Sequence, residues 1–347
     1  MTPGCVALVT FLWLVLVGPP AGAQSEDYKR SLYYRGISYH NRITKVLDSD
    51  LDSDSEPEAV VCYREPGEAV GLSGGILVLE NSVDGWRVAW HGYFKGCYPK
   101  CISADGNRLK IRLVEASAAG DKEWEKELER GKDFFFRDEP SSPFAKVKIS
   151  ASSTLDAQKS APAMVFDGKL RTAWAEGAEG TGVGEKIVFE FAKPVDLGLI
   201  GMLQGWALSK RTWLDNNRVH RAEITAETVQ DRFDTDAEID LDEDLGLGIY
   251  GDMVEIDFGN RPTMKYARLE KKSVVSLEVK IASVLLGERN DDAYIGEVDF
   301  AEMYTPDKLR GDAAGGSKPV QRQKPDKSKS NKEPAGDSGE EERDWLE

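Results

Sequence analysis

The sequence predicts a mainly β protein: a small antiparallel β-domain, then a jelly-roll β-sandwich, then a disordered C-terminal tail. Three observations carry that expectation. Short runs rich in Val, Ile, Leu and aromatic residues recur along the chain, and Gly, Asp and Asn turn residues separate most of them. The second half offers no long amphipathic pattern of helical period. After Thr305 the composition falls to Gly, Lys, Asp, Ser, Pro and Glu, which cannot bury enough apolar surface to offset the entropy of ordering.

Residues 1–23 read as a secretory signal peptide. The apolar run Val6–Val17 is shorter than the roughly 20 residues a membrane-spanning helix needs, and Ala21-Gly22-Ala23 follows as a small-x-small cleavage site. The mature chain is therefore expected to be secreted or periplasmic, with no membrane span after signal cleavage. Its net charge of −16 disfavours nucleic acid and anionic membrane surfaces as partners. Cys5 leaves with the signal, so Cys62, Cys97 and Cys101 remain for an oxidising compartment. Either Cys97 and Cys101 close a small loop, or Cys62 pairs with one of them.

Residues 24–135 form the expected small β-domain. Its acidic insertion, 48–58, alternates Asp and Ser as a calcium loop does, but lacks Gly at the sixth position and Glu at the twelfth, and so reads as solvated. Strands follow at Ala59–Tyr63, Gly75–Leu79, Trp86–Trp90 and Leu109–Val114. A short helix is expected over 120–132, because Glu123, Lys126, Glu127 and Arg130 are spaced for pairs across one turn. Residues 136–143, rich in Pro and Ser, read as an interdomain linker.

The second domain, 144–304, is expected to hold eight strands: Val147–Ser150, Lys186–Phe191, Leu197–Leu203, Arg221–Thr228, Met253–Phe258, Tyr266–Glu270, Leu277–Leu286 and Gly296–Ala301. The acidic run Asp231–Asp244 reads as a charged edge strand. The tail, 305–347, has a basic half and an acidic end.

Ordered motifs run through the second domain: Ala151-Ser152-Ser153, Phe166-Asp167-Gly168, Thr172-Ala173-Trp174 before Glu176-Gly177, Gly184-Glu185 before Ile187, Phe189 and Phe191, Asn216-Asn217-Arg218, and Asp291-Asp292 before Ile295, Glu297, Val298 and Phe300. Together they resemble the discoidin-like (F5/8 type C, galactose-binding-like) domain, most closely its NADase-type glycan-binding branch. The resemblance implies that Trp174 lies inside the sandwich, and that Asp167, Thr172 and Glu297 could hold a structural calcium ion (Ca2+), all three being oxygen donors.

Recognition is expected in the loop Gln204–Arg218, where Trp206 and Trp213 stand among Lys210, Arg211, Asn216, Asn217 and Arg218, with the Asp291-Asp292 turn beside it. A pyranose needs this mixture, an aromatic face for its C–H side and planar polar groups for its hydroxyls. The same residue types make protein hot spots, and Asn216-Asn217-Arg218 could equally brace the loop. Catalytic constellations are missing from the sequence. His40, His91 and His220 lack metal-ligand spacing, and Gly71-Leu72-Ser73-Gly74-Gly75 opens onto a strand where a nucleophile elbow opens onto a helix. The reading is an exported, non-enzymatic carbohydrate-binding protein whose partner is a glycan or glycoconjugate. A cell-envelope protein-protein interaction module is the alternative, with a glycan-processing enzyme third.

Overall fold

In the computed structural model, residues 36–37, 41–66, 71–82, 85–236 and 253–311 are described. The expected signal peptide, most of the expected tail and the second half of the acidic run Asp231–Asp244 lie outside them. The architecture is mainly β. One sheet of eleven strands runs from β1 (Arg42–Ser49) through β2 (Glu58–Arg64), β3 (Gly74–Ser82) and β4 (Gly85–Phe94) into the second half of the chain. A separate sheet joins β5 (Tyr98–Asp105), β6 (Arg108–Glu115) and β7 (Lys122–Glu129).

The first layers form because β2 and β3 are buried on both faces. Val60, Cys62, Ile76 and Val78 point into a core shared with β5–β7, while Ala59, Val61, Tyr63, Leu77 and Leu79 point into a core shared with Leu199, Met264, Ala301 and Met303 of the sandwich. Continuous apolar runs of this kind are what two-sided burial demands. The disulfide is Cys62–Cys101, with Cα atoms 6.0 Å apart, and it ties β2 to the three-stranded sheet. Cys97 is free and buried.

The sandwich uses β8 (Lys148–Ala151), β9 (Trp174–Ala175), β10 (Lys186–Gln204), β11 (Asn217–Thr228), β12 (Val254–Asp257), β13 (Met264–Leu285) and β14 (Ala293–Tyr304). The four expected strands Lys186–Phe191, Leu197–Leu203, Tyr266–Glu270 and Leu277–Leu286 merge into two long ones, β10 and β13, paired antiparallel along their length. Register shifts between Glu190 and Leu199, and positive φ at Glu270 and Ser273, mark where both strands bend between layers. Trp174, Phe189, Met202, Ile224, Val279 and Phe300 fill the core between those layers. Among the described residues are also the short helices α1 (Lys210–Asp215), α2 (Val229–Asp236) and α3 (Pro306–Gly311) and a 3-10 turn at Pro162–Phe166.

Four expectations are corrected. Residues 120–132 hold strand β7 in place of a helix, because the alternation of Trp124, Lys126 and Leu128 matches a strand, and the charges pair across strands, Arg112 with Glu125 and Arg108 with Glu127. The start of the acidic run is helix α2, not an edge strand, with Asp231 accepting from the backbone N–H of Thr228 at 2.7 Å. The tail begins later than Thr305, since α3 buries Leu309 in the first core. Residues 136–143 do not behave as a linker: Phe136 is buried, and Arg137 reaches into the sandwich. Parallel pairing of β4 with β14, Gly92 to Phe94 against Glu302 to Tyr304, makes the two halves one sheet.

Candidate functional site

The loop after β10 is shaped by a capping box. Ser209 Oγ accepts from the Thr212 N–H at 3.1 Å, and Thr212 Oγ1 accepts from the Ser209 N–H at 2.9 Å, starting α1. One turn later Trp213 faces inward. Its indole N–H donates to the Gln204 carbonyl at 3.3 Å, and the Arg218 guanidinium lies 4.5 Å from the ring centroid. Gly205 has φ +72°, and a Cβ there would stand 2.9 Å from both Arg218 Cγ and Trp213 Cδ1, so no other residue fits.

Asn216, Asn217 and Arg218 knit this loop to the next one. Asn216 Nδ2 donates to the Thr212 carbonyl at 2.6 Å, and its Oδ1 accepts from Asn290 at 2.8 Å. Asn217 donates to the Asp291 carbonyl and accepts from the Gly287 N–H at 2.7 Å. Arg218 donates to the carbonyls of Trp213 and Leu286 at 3.0 and 3.1 Å. Trp213, Asn216, Asn217 and Arg218 are all buried. They position the loops and do not offer their side chains to solvent.

Trp206 turns the other way. It stacks on Tyr294 with centroids 5.7 Å apart and planes 9° from parallel, while its indole N–H donates to the Arg171 carbonyl at 2.8 Å. The ring is only partly buried. Asp291 is exposed and Asp292 half-buried beside Tyr294, and burial followed by the charge of Asp291 pushes the Asp292 carboxyl up. Lys210 is exposed; Arg211, also exposed, is engaged by Asp215 at 2.8 Å. Sequence reasoning missed Tyr294 and Arg171, although Tyr294 stands two residues after the Asp291-Asp292 turn that marked the loop. The result is a braced aromatic platform with carboxylates at its edge.

A second constellation lies inside. His91 Nδ1 is 2.7 Å from Asp299 Oδ2, and Nε2 is 2.7 Å from the Tyr63 hydroxyl. With the proton on Nδ1 toward the carboxylate, Nε2 accepts from tyrosine. Arg137 donates to Asp299 Oδ1 at 2.7 Å and to Glu297 Oε1 at 3.2 Å, and its guanidinium sits 4.2 Å from the Phe166 ring centroid. Burial alone would push Asp299 up; the nearby His91 and Arg137 outweigh it and hold the carboxyl below its usual range. Glu297 goes the other way, well above its usual range, with burial as the largest cause.

Asp167 and Thr172, two of the three residues expected to hold calcium, bond each other. Thr172 Oγ1 donates to Asp167 at 2.9 Å, and Asp167 also accepts from the Lys169 N–H at 2.9 Å, closing the Asp167-Gly168 turn by itself. Glu297 Oε1 faces the Arg137 guanidinium at 3.2 Å, while its buried Oε2 has no hydrogen-bond partner. Among the described residues, the one group of three ligand-type side chains within 4.8 Å is Asp50, Asp52 and Glu58, in the acidic hairpin between β1 and β2. No helix among them is long and apolar enough to cross a membrane.

Residues 142–301 match the family described as the NAD glycohydrolase translocation F5/8 type C domain. No curated protein matches the chain. Solved structures similar to it include an F5/8 type C domain from Bacteroides fragilis, 14% identical, covering 46% of this chain and 94% of that one, with a TM-score of 0.31. Another is CBM32-3 of a family 31 glycoside hydrolase from Clostridium perfringens, 17% identical, covering 46% of this chain and 92% of that one, TM-score 0.32. A third is a GH31 CBM32-2 bound to GalNAc, 12% identical, covering 45% and 97%, TM-score 0.32. Each spans less than half of this chain. The match makes segment 142–301, just under half of the chain, similar to the NAD glycohydrolase translocation F5/8 type C domain.

Proposed function

We propose that the chain is an exported, non-catalytic glycan-binding protein whose recognition surface is the Trp206–Tyr294 platform with Asp291, Asp292 and Lys210 around it. The observation that carries the reading is the parallel stack of a partly exposed indole on a tyrosine, fixed through the Arg171 carbonyl. A ring held flat in this way gives the C–H face of a pyranose a surface at no ordering cost, and the neighbouring carboxylates and ammonium take hydroxyls. Against a nucleophilic enzyme stands the burial of the histidine-carboxylate pair: His91 and Asp299 side chains are both 0% exposed, beyond reach of a substrate. Export rests on the apolar run ending in Ala21-Gly22-Ala23.

Retention of the full mature chain on multivalent immobilised glycans tests this, beside Trp206→Ala. Selective retention is expected, weakened at least about tenfold in the variant, which corresponds to roughly 1.4 kcal/mol, while the variant stays folded and unfolds only a few degrees lower. Equal retention of variant and wild type, or none of either on any glycan, overturns it.

A further inference from the structure

A cleft of about 310 Å3 opens along the seam between β4 and the sandwich, at the lower end of the ~300–1,000 Å3 typical of small-molecule sites. One wall is Val88, Arg87 and Asp138; the other is Phe144, Val147 and Phe166, with Asp167 and Gly168 at the end. The first wall precedes residue 142 and the second follows it, so the F5/8 type C segment alone cannot form this cleft. The first β layers complete it.

Its chemistry is selective. Arg87 makes a two-pronged pair with Glu80, at 2.9 and 3.2 Å, and touches Asp138 at 3.2 Å. Arg137 also lines the cleft; its guanidinium is held by Glu297 and Asp299, and its backbone N–H donates to the Ala89 carbonyl at 2.7 Å. Both guanidiniums are already matched by carboxylates, so an anion or a cation entering the cleft meets a charge of its own sign as well as an opposite one. A hydroxyl both donates and accepts, and can bridge carboxylate and guanidinium without disturbing either. The apolar wall suits the C–H face of a ring. The groups are fixed before any ligand arrives, which lowers the ordering cost of binding.

We infer that the seam cleft is a second binding site, for a neutral, hydroxyl-rich ring of monosaccharide size, assembled jointly by the first β layers and the sandwich. The inference rests on the glycan reading for the class of ligand and on nothing at the Trp206 platform. The test is photo-labelling of the full mature chain with alkyl-diazirine derivatives of galactose, glucose and N-acetylglucosamine, with labelled peptides mapped by mass spectrometry. Label is expected within 137–149 and 163–168. Ala163 lines the cleft and is exposed, so the indole of Ala163→Trp should occupy cleft volume without replacing a core residue. That variant should cut cleft label at least tenfold and leave label near 206 and 291–294, Trp206→Ala should do the reverse, and Asp138→Ala at the rim serves as a second variant. Label at the platform alone overturns the cleft and keeps the glycan reading. Cleft label that Ala163→Trp leaves unchanged also overturns the cleft, and no label anywhere overturns both. Label in the cleft alone supports this site and removes the platform.

Discussion

Arg137→Met is the most informative perturbation of the fold, because it removes one cation from a buried cluster that joins both halves. The guanidinium is 13% exposed and faces two carboxylates whose side chains are 0% exposed. Leaving a buried charge unmatched costs about 3–5 kcal/mol. Glu297 already sits well above its usual range and can take up a proton, so the cost falls mainly on Asp299, which keeps His91 and Tyr266 as partners. The expected loss is therefore near the lower bound, about 3 kcal/mol at pH 8. Arg137 lowers both carboxyls, so without it they titrate higher than in the wild type; the penalty is full at high pH and shrinks as pH falls and they take up protons. Urea unfolding followed by intrinsic fluorescence at pH 8 and pH 5 measures both. Because the two halves share a core and a strand pairing, one transition is expected. A loss below about 1 kcal/mol, within the range of a surface ion pair, or equal losses at both pH values, would refute the reasoning.

Glu58 is 1% exposed, and burial, followed by the charges of Asp52, Asp54 and Asp50 after one opposing hydrogen bond from the Leu51 N–H, pushes its carboxyl up to about 7. A folded value above the unfolded one means stability present at low pH and lost as pH rises from about 4.5 to about 7. Glu58→Gln keeps an acceptor for the Leu51 N–H and should gain up to about 3 kcal/mol at pH 8 and little at pH 4.5, read by thermal unfolding at both. Cys62→Ser with Cys101→Ser opens a link spanning 39 residues and should cost about 4 kcal/mol by loop entropy, measured by urea unfolding; a loss under about 1 would discount the cross-link. Trp213→Ala should cost about 3–5 kcal/mol, as a core truncation does, whereas Trp206→Ala should cost about 1, the worth of its stack. Equal losses in denaturation would reverse the roles given to the two indoles.

Much of the fold was legible because burial on two faces leaves a local trace. β2, β3 and β4 are apolar runs, and the Asp167-Gly168 turn with φ +73° at Gly168 declares itself by composition. β7 misled because Glu and Lys three and four residues apart support a helix, while the same residues at period two support a strand once β6 stands beside them. Only the partner strand decides, and it is a non-local fact. β5 was missed for a related reason: Cys97 to Cys101 could close a small loop, and only pairing with Arg112 to Val114 makes Tyr98-Pro99-Lys100 a strand.

The site was half legible, and the dividing line is physical. Trp206 and Trp213 have the same residue type and the same polar loop, yet the capping box at Ser209 and Thr212 rotates one inward while Gly205 lets the backbone turn beneath it. That Ser-x-x-Thr spacing was available in the sequence and would have placed Trp213 one turn into a helix, on the face toward Gln204. Arg137 offered no such signal. Its partners lie about 160 residues away, at Glu297 and Asp299, and its Pro- and Ser-rich surroundings resemble a linker. A charged residue beside an aromatic triplet in an otherwise loop-like stretch is better read as a pin than as a tether. The triplet must dock somewhere, and whatever it docks against is where an adjacent guanidinium finds buried carboxylates. Phe136 and Arg137 show the coupling directly, the first entering the core of the early sheets and the second the floor of the seam.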